Sequence, residues 1–193
     1  SLTYLNCENT TTTIGVQTET MILSTTPGTT YYIRIGNATN NNMSVTSLFI
    51  LTNDKCSDAI TLTSNSSCIT TTGSTLGARD NNETGDCTTG TEKAVWYQFQ
   101  AVATTHVVTV DGVSGFDAVI GAINTCGSSS IPTGGSCTDA TGDNGIETIT
   151  LTGLTIGNYY KIQVYDFNGD ETANAFTICV THTPPCTTPT AQP

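Results

Sequence analysis

Apolar and polar residues alternate along most of this chain. Val95, Tyr97 and Phe99 interleave with Ala94, Trp96 and Gln98; Tyr160, Ile162 and Val164 with Lys161 and Gln163; Phe176, Ile178 and Val180 with Thr177 and Cys179. A period of two, carried by β-branched and aromatic residues, predicts half-buried strands. Residues 58–63, 69–76, 106–111, 117–123 and 147–152 read the same way. Turn formers separate them: Gly112, Gly134-Gly135, Asp143-Asn144-Gly145, Gly157-Asn158 and Asn168-Gly169-Asp170. No stretch sustains the 3.6-residue period of an amphipathic helix. The pattern predicts an all-β protein of roughly eight strands, folded as an antiparallel two-sheet sandwich of jelly-roll type.

The pattern also occurs twice. Residues 19–35 read ETMILSTTPGTTYYIRI and residues 147–164 read ETITLTGLTIGNYYKIQV. With one gap, Met21 and Leu23 fall on Ile149 and Leu151, Gly28 on Gly157, and Tyr31, Ile33 and Ile35 on Tyr160, Ile162 and Val164. Leu48 and Ile50 then fall on Phe176 and Ile178. The expected organisation is a slice of a tandem array. In it, residues 1–52 are the C-terminal part of one module, 53–181 a complete module, and 182–193 a proline-rich linker to whatever follows.

Charge narrows the partners. Of 193 residues only 11% are charged, and 5 Lys+Arg face 16 Asp+Glu for a formal net charge of -11. Five scattered basic residues form no cluster to neutralise phosphates, which argues against nucleic acid and against anionic membrane surfaces. No apolar run is long enough to span a bilayer, so membrane insertion is not expected.

Cysteine usage points to an oxidising compartment. There are eight cysteines, no CxxC pair, and His106 and His182 lie far from any cysteine pair, so disulfides are expected rather than zinc. Neighbourhood in the chain would pair Cys126 with Cys137 across a Gly/Ser-rich stretch and Cys56 with Cys68, and Cys87 with Cys179 would be a long-range pair tying the module's middle to its last strand, although spacing alone does not establish connectivity. Cys7 falls where the repeat places Cys137, and Cys186 where it places Cys56, so both are expected to find partners outside the slice.

The segments NDKCSDAITLT (53–63), AVWYQFQA (94–101), GFDAVIGAINTCG (115–127), LTGLTIGNYYKIQVYDFNG (151–169) and FTICV (176–180) come in an order that resembles the bacterial pre-peptidase C-terminal-like domains of large secreted Bacteroidota proteins. The tail PCTTPTAQP looks like the lead-in to a fibronectin-type-III-like module. The resemblance implies an exported β-sandwich accessory module, carried by type IX secretion to the cell surface. A very large adhesin of gliding motility or surface attachment is the parent it favours. Its partners would be neighbouring modules of the same chain and surface glycans or proteins. The alternative is an accessory carbohydrate- or protein-binding domain of a secreted hydrolase.

Chemistry within the chain is sparse. Ser114 in GVSGF only partly imitates a nucleophile elbow, and neither His106 nor His182 has an evident Ser and Asp partner, so a non-catalytic role is expected. Calcium is the one candidate cofactor. It takes clustered oxygens from Asp, Asn and main-chain carbonyls on irregular loops. Asp166, Asn168 and Asp170 project oxygens from one turn, Asp139 and Asp143 stand in a second loop near Glu147, and Asp117 opens a strand. An EF-hand is ruled out by the missing glycine and terminal acid. The first copy has Asn37, Thr39 and Asn41 in place of Asp166, Asn168 and Asp170, so such a site would belong to the complete module alone. Tight hairpins also call for Asp, Asn and Gly. Trp96, Tyr97, Tyr159, Tyr160 and Tyr165 offer a sugar platform, but alternation sends about half of them to the core.

Overall fold

A computed structural model describes residues 51–79, 93–127, 137–167, 169 and 175–184, together with 7, 19, 21, 23, 25, 26, 29–36, 48 and 50. The chain divides into two compact units, Ser1–Leu48 and Phe49–Pro193. The described residues of the first unit carry no strand.

The second unit opens with a 3-10 turn, Cys56–Asp58. Ten strands follow: β1 (Ile60–Leu62), β2 (Ser64–Asn65), β3 (Thr71–Ser74), β4 (Val95–Gln100), β5 (His106–Val113), β6 (Ala118–Ile123), β7 (Cys137–Thr138), β8 (Ile146–Leu151), β9 (Tyr159–Asp166) and β10 (Ala175–His182). One sheet has the order β1-β4-β9-β6-β7; the other has β2-β10-β5-β8, with β3 also paired to β10. The two sheets pack into a sandwich, as the alternation predicts.

The second sheet follows the period-two rule. On β8 Glu147, Ile149 and Leu151 are buried while Ile146, Thr148 and Thr150 are exposed, and β5 alternates in the same sense. One face packs on the core and the threonine-rich face meets water. The first sheet is covered on both sides, and β6 is buried at every position. Cys56 and Ala59 close over Trp96 and Ile123 on its outer face, while Ala94, Val119 and Tyr165 form a second outer cluster. Between the sheets, Phe176 meets Tyr97 edge-on at 6.1 Å and Phe116 at 5.2 Å. Each fully buried side chain of this size contributes roughly 1.5–3 kcal/mol.

Two features depart from the expected antiparallel sandwich. β1 runs parallel to β4, with Ile60 opposite Tyr97 and Leu62 opposite Phe99. β2 runs parallel to β10, with Ser64 opposite Val180. Both belong to one extended segment that leaves the edge of the first sheet at Thr63 and joins the edge of the second. A segment that switches sheets at a corner forms a hairpin with neither, so its direction is free of the antiparallel rule. The sheets are therefore mixed.

Gly112 shows how tightly the β5–β6 corner is built. A Cβ there would lie 2.2 Å from the main-chain oxygen of Phe116. Only glycine lets the chain fold back so closely.

The disulfides also differ from the pairing expected from chain proximity. Cys56 is bonded to Cys126 and Cys68 to Cys179. Cys137 is disulfide-bonded as well, and Cys126 is not its partner. Cys87 and Cys186 lie outside the described residues. The reason is topological. Cys56 sits on the outer face of the first sheet beside Ile123, just ahead of Cys126, whereas Cys68 lies between the two short strands that flank β10.

Candidate functional site

The acidic candidates converge at one end of the sandwich, where the β5–β6 turn, the β7–β8 loop and the end of β9 meet. The turn is made by Ser114 and Gly115, both at positive φ (57° and 93°). Asn144, also at positive φ (60°), locks it from the opposite loop. Its side-chain oxygen accepts the Gly115 N–H at 2.7 Å, and its own N–H donates to the Phe116 carbonyl at 3.0 Å. On the other flank, the Asp117 N–H donates to Asp166 Oδ2 at 2.9 Å and the Phe167 N–H to the Asp117 carbonyl at 2.9 Å.

This scaffold brings Asp117 and Asp166 side by side, both buried, with Asp139 and Asp143 exposed around them. Burial raises the Asp117 carboxyl above its ordinary range, and the charges of Asp139, Asp143, Asp166 and Glu147 raise it further. Asp139 is raised too, by desolvation and then by Glu147. Asn168 and Asp170 lie outside the described residues. Among the described residues, no three His, Cys, Asp or Glu side chains lie close enough to hold a metal ion unaided.

Glu147 is a different kind of acid. Its side chain is 1% exposed. It accepts hydrogen bonds from the Thr138 hydroxyl at 2.9 Å, the Ala140 N–H at 2.8 Å, and both the N–H and the hydroxyl (2.7 Å) of Thr141. Burial pushes its carboxyl up, but these donors outweigh burial and hold it below the usual range. With its oxygens so engaged it is a tie for the 138–141 loop. The signal was in the sequence: Glu147 lies in phase with Ile149 and Leu151, a carboxylate on the inward face.

A second polar cluster lies at the far end of β5. His106 is fully buried, its ring tilted by 33° against that of Phe99 at 4.9 Å, and His182 faces it across the β5–β10 pair at 5.6 Å. His106 Nε2 accepts the Val102 N–H at 3.3 Å, while Nδ1 has no hydrogen-bond partner. Ser64 Oγ and His182 Nδ1 share a hydrogen bond of 2.9 Å. Burial, and secondarily the His182 charge, hold the His106 imidazole below its ordinary range. The folded state therefore resists a proton that the unfolded chain takes up below about pH 6.5. Stability is expected to fall as pH drops through that value, while the raised carboxyls of Asp117 and Asp139 work in the opposite sense at lower pH. The measurement is the difference in Tm between wild type and His106→Phe from pH 7.5 to 5; a difference independent of pH would show that His106 does not titrate on unfolding.

His106 and Ser114 stand at opposite ends of β5, about 25 Å apart at the rise of a strand, and no triad forms. Of the aromatic candidates, Trp96, Tyr97, Tyr160 and Tyr165 are buried and Tyr159 alone is exposed, at 46%. Next to Tyr159 on the outer face runs a polar row: the Lys161 ammonium donates to Gln98 Oε1 at 2.5 Å, and the Gln98 amide to Thr61 Oγ1 at 2.9 Å.

Residues 52–178 match the model of a family described as galactose binding domain-like and associated with type IX secretion (T9SS). The chain belongs to that family. The match spans the sandwich from the residue before Asn53 into β10. Among solved structures, the pre-peptidase C-terminal domain of a collagenase from Bacillus anthracis is similar at 15% identity and a TM-score of 0.40, over 63% of this chain and 93% of that one. The g-type lysozyme inhibitor PliG of Aeromonas hydrophila is similar at 12% identity and a TM-score of 0.33, over 63% of this chain and 96% of that one. No curated protein matches the chain. The T9SS-associated galactose-binding-like family is of a non-catalytic accessory type. Its link to type IX secretion, together with the disulfides, is that of a secreted, extracellular protein. Among the described residues no helix is long and apolar enough to cross a membrane.

Proposed function

We propose that this chain is a non-catalytic repeat segment of a large secreted adhesin, serving at the cell surface as spacer or adhesive module in attachment or gliding. The observation that supports the array reading is a turn found in both copies. In the complete module the Thr155 N–H donates to the Tyr160 hydroxyl at 2.8 Å and the Asn158 N–H to the Thr155 carbonyl at 3.1 Å. In the first unit the Thr26 N–H donates to the Tyr31 hydroxyl at 2.8 Å and the Thr29 N–H to the Thr26 carbonyl at 3.1 Å. Thr26 and Tyr31 are the residues that the repeat aligns with Thr155 and Tyr160. Two copies of one locally closed turn are what duplicated modules retain. The partners in this reading are the neighbouring modules of the chain and surface glycans or proteins.

A second reading, an accessory binding domain of a secreted hydrolase, is favoured by the Tyr159–Lys161–Gln98–Thr61 strip. An exposed ring beside a row of amide, ammonium and hydroxyl groups suits a sugar ring. One experiment separates the two. The native polypeptide carrying this segment is sized from the surface fraction of the source cells and mapped by its peptides. A chain many times 193 residues long, with several variants of the LTGLTIGNYYK peptide, is the expected result. A chain of modest size with peptides of a hydrolase domain would sink the adhesin reading.

A further inference from the structure

The acidic end of the sandwich holds an unmet electrostatic demand. Asp117 is 8% exposed, and its Oδ1 has no hydrogen-bond partner. A buried carboxylate oxygen left bare is costly unless it is protonated or meets a cation. Among the described residues, the charges that raise the Asp117 carboxyl are those of other carboxylates: Asp139, Asp143, Asp166 and Glu147. Glu147 is saturated by its own donors, which leaves Asp117 and Asp166 as the buried pair and Asp139 and Asp143 as charges at the rim. The loops that carry them are irregular yet anchored by the hydrogen bonds of Asn144 and Asp166. Hard oxygen donors on anchored loops suit calcium, which accepts variable geometry and completes its shell with main-chain oxygens and water.

We propose that Asp117 and Asp166 anchor a calcium ion at this end of the sandwich, with Asp139 and Asp143 supplying further negative charge. Two carboxylates side by side are too few to hold the ion unaided, so water and main-chain oxygens fill the remaining positions and the affinity is modest. Such a site resembles those of extracellular modules, with a dissociation constant of about 10⁻⁴–10⁻³ M. The ion would tie the β5–β6 turn to the end of β9 and make this end of the module stiffer in a calcium-rich medium. This holds whichever parent protein carries the module.

The test uses the full chain, stripped with a chelator. Calorimetric titration with calcium chloride at constant ionic strength is expected to show saturable binding in that range. The Tm is expected to rise by about 3–6 °C at roughly tenfold excess over Kd. Asp117→Asn removes the bare anionic oxygen, so it is expected to raise the Tm of the calcium-free chain while weakening calcium binding at least tenfold. A role confined to packing would give neither pattern. Asp143→Asn, on an exposed side chain, is expected to weaken binding about two- to fivefold. Absence of saturable binding by the wild-type chain, or wild-type affinity in a folded Asp117→Asn, overturns the site. If Asp117→Asn fails to fold, Asp143→Asn decides, and unchanged affinity there overturns it.

Discussion

Replacing Cys68 and Cys179 together by alanine is expected to lower the unfolding free energy by about 2–5 kcal/mol. The bond closes a loop with a sequence separation of 111, near the upper end of what loop-closure entropy offers. It also acts where the sheet is weakest. β2 and β3 flank the same edge of β10 with two and four residues, too few ladder bonds to hold an edge alone. Cys68 lies between them and pins their connection to the long strand. Alanine is the replacement of choice because Cys179 is 2% exposed, and serine would bury a hydroxyl. Chemical denaturation of the oxidised protein and the double variant measures the difference. A loss below about 1 kcal/mol would mean that β2 and β3 hold their places through the ladder alone. Reduction of the wild-type protein is expected to cost more, because the Cys56–Cys126 bond that clamps the cover over Trp96 is lost with it.

Glu147→Ala is expected to cost about 2–4 kcal/mol. The carboxylate satisfies donors from Thr138, Ala140 and Thr141 in a place that water does not reach. Alanine leaves those donors unmet and opens a cavity beneath the 138–141 loop. Part of the cost is recovered as the loop, which is exposed at Asp139 and Ala140, swings out to water. Glu147→Gln keeps one acceptor oxygen and is expected to lose about half as much. Two measurements check this: the denaturation midpoint, and limited proteolysis, in which new cleavage within 138–145 should appear in the alanine variant. An unchanged midpoint with no new cleavage would show that the loop is held by other contacts.

Much of this molecule is legible in its residues. The period-two runs at 95–99, 160–164 and 176–180 coincide with β4, β9 and β10, because a half-buried strand must place one side chain in two on the core. Strands of two residues, β2 and β7, escape such a reading, since so short a run has no period. The partial repeat was equally visible, and it led to the paired turns of Thr26–Tyr31 and Thr155–Tyr160. The acidic candidates were legible as residue types on turns. Which of them share a neighbourhood was not, because 117, 139, 143 and 166 meet only when β6, β8 and β9 are arranged around the same end.

The sequence by itself determined that the chain is a β-sandwich of an oxidising compartment, acidic, with alternating faces and a segment, 19–35, that resembles 147–164. Those properties are set by local periodicity, charge and composition, which act residue by residue. Only the tertiary structure decided that the segment Ile60–Asn65 switches sheets, that Cys56 and Cys68 bond to Cys126 and Cys179 rather than to each other, and that Glu147 is tied while the Asp117 oxygen stays bare. These are matters of proximity between residues tens of positions apart. In a sandwich whose chain crosses repeatedly between sheets, proximity is set by the order of the strands, which no local pattern encodes.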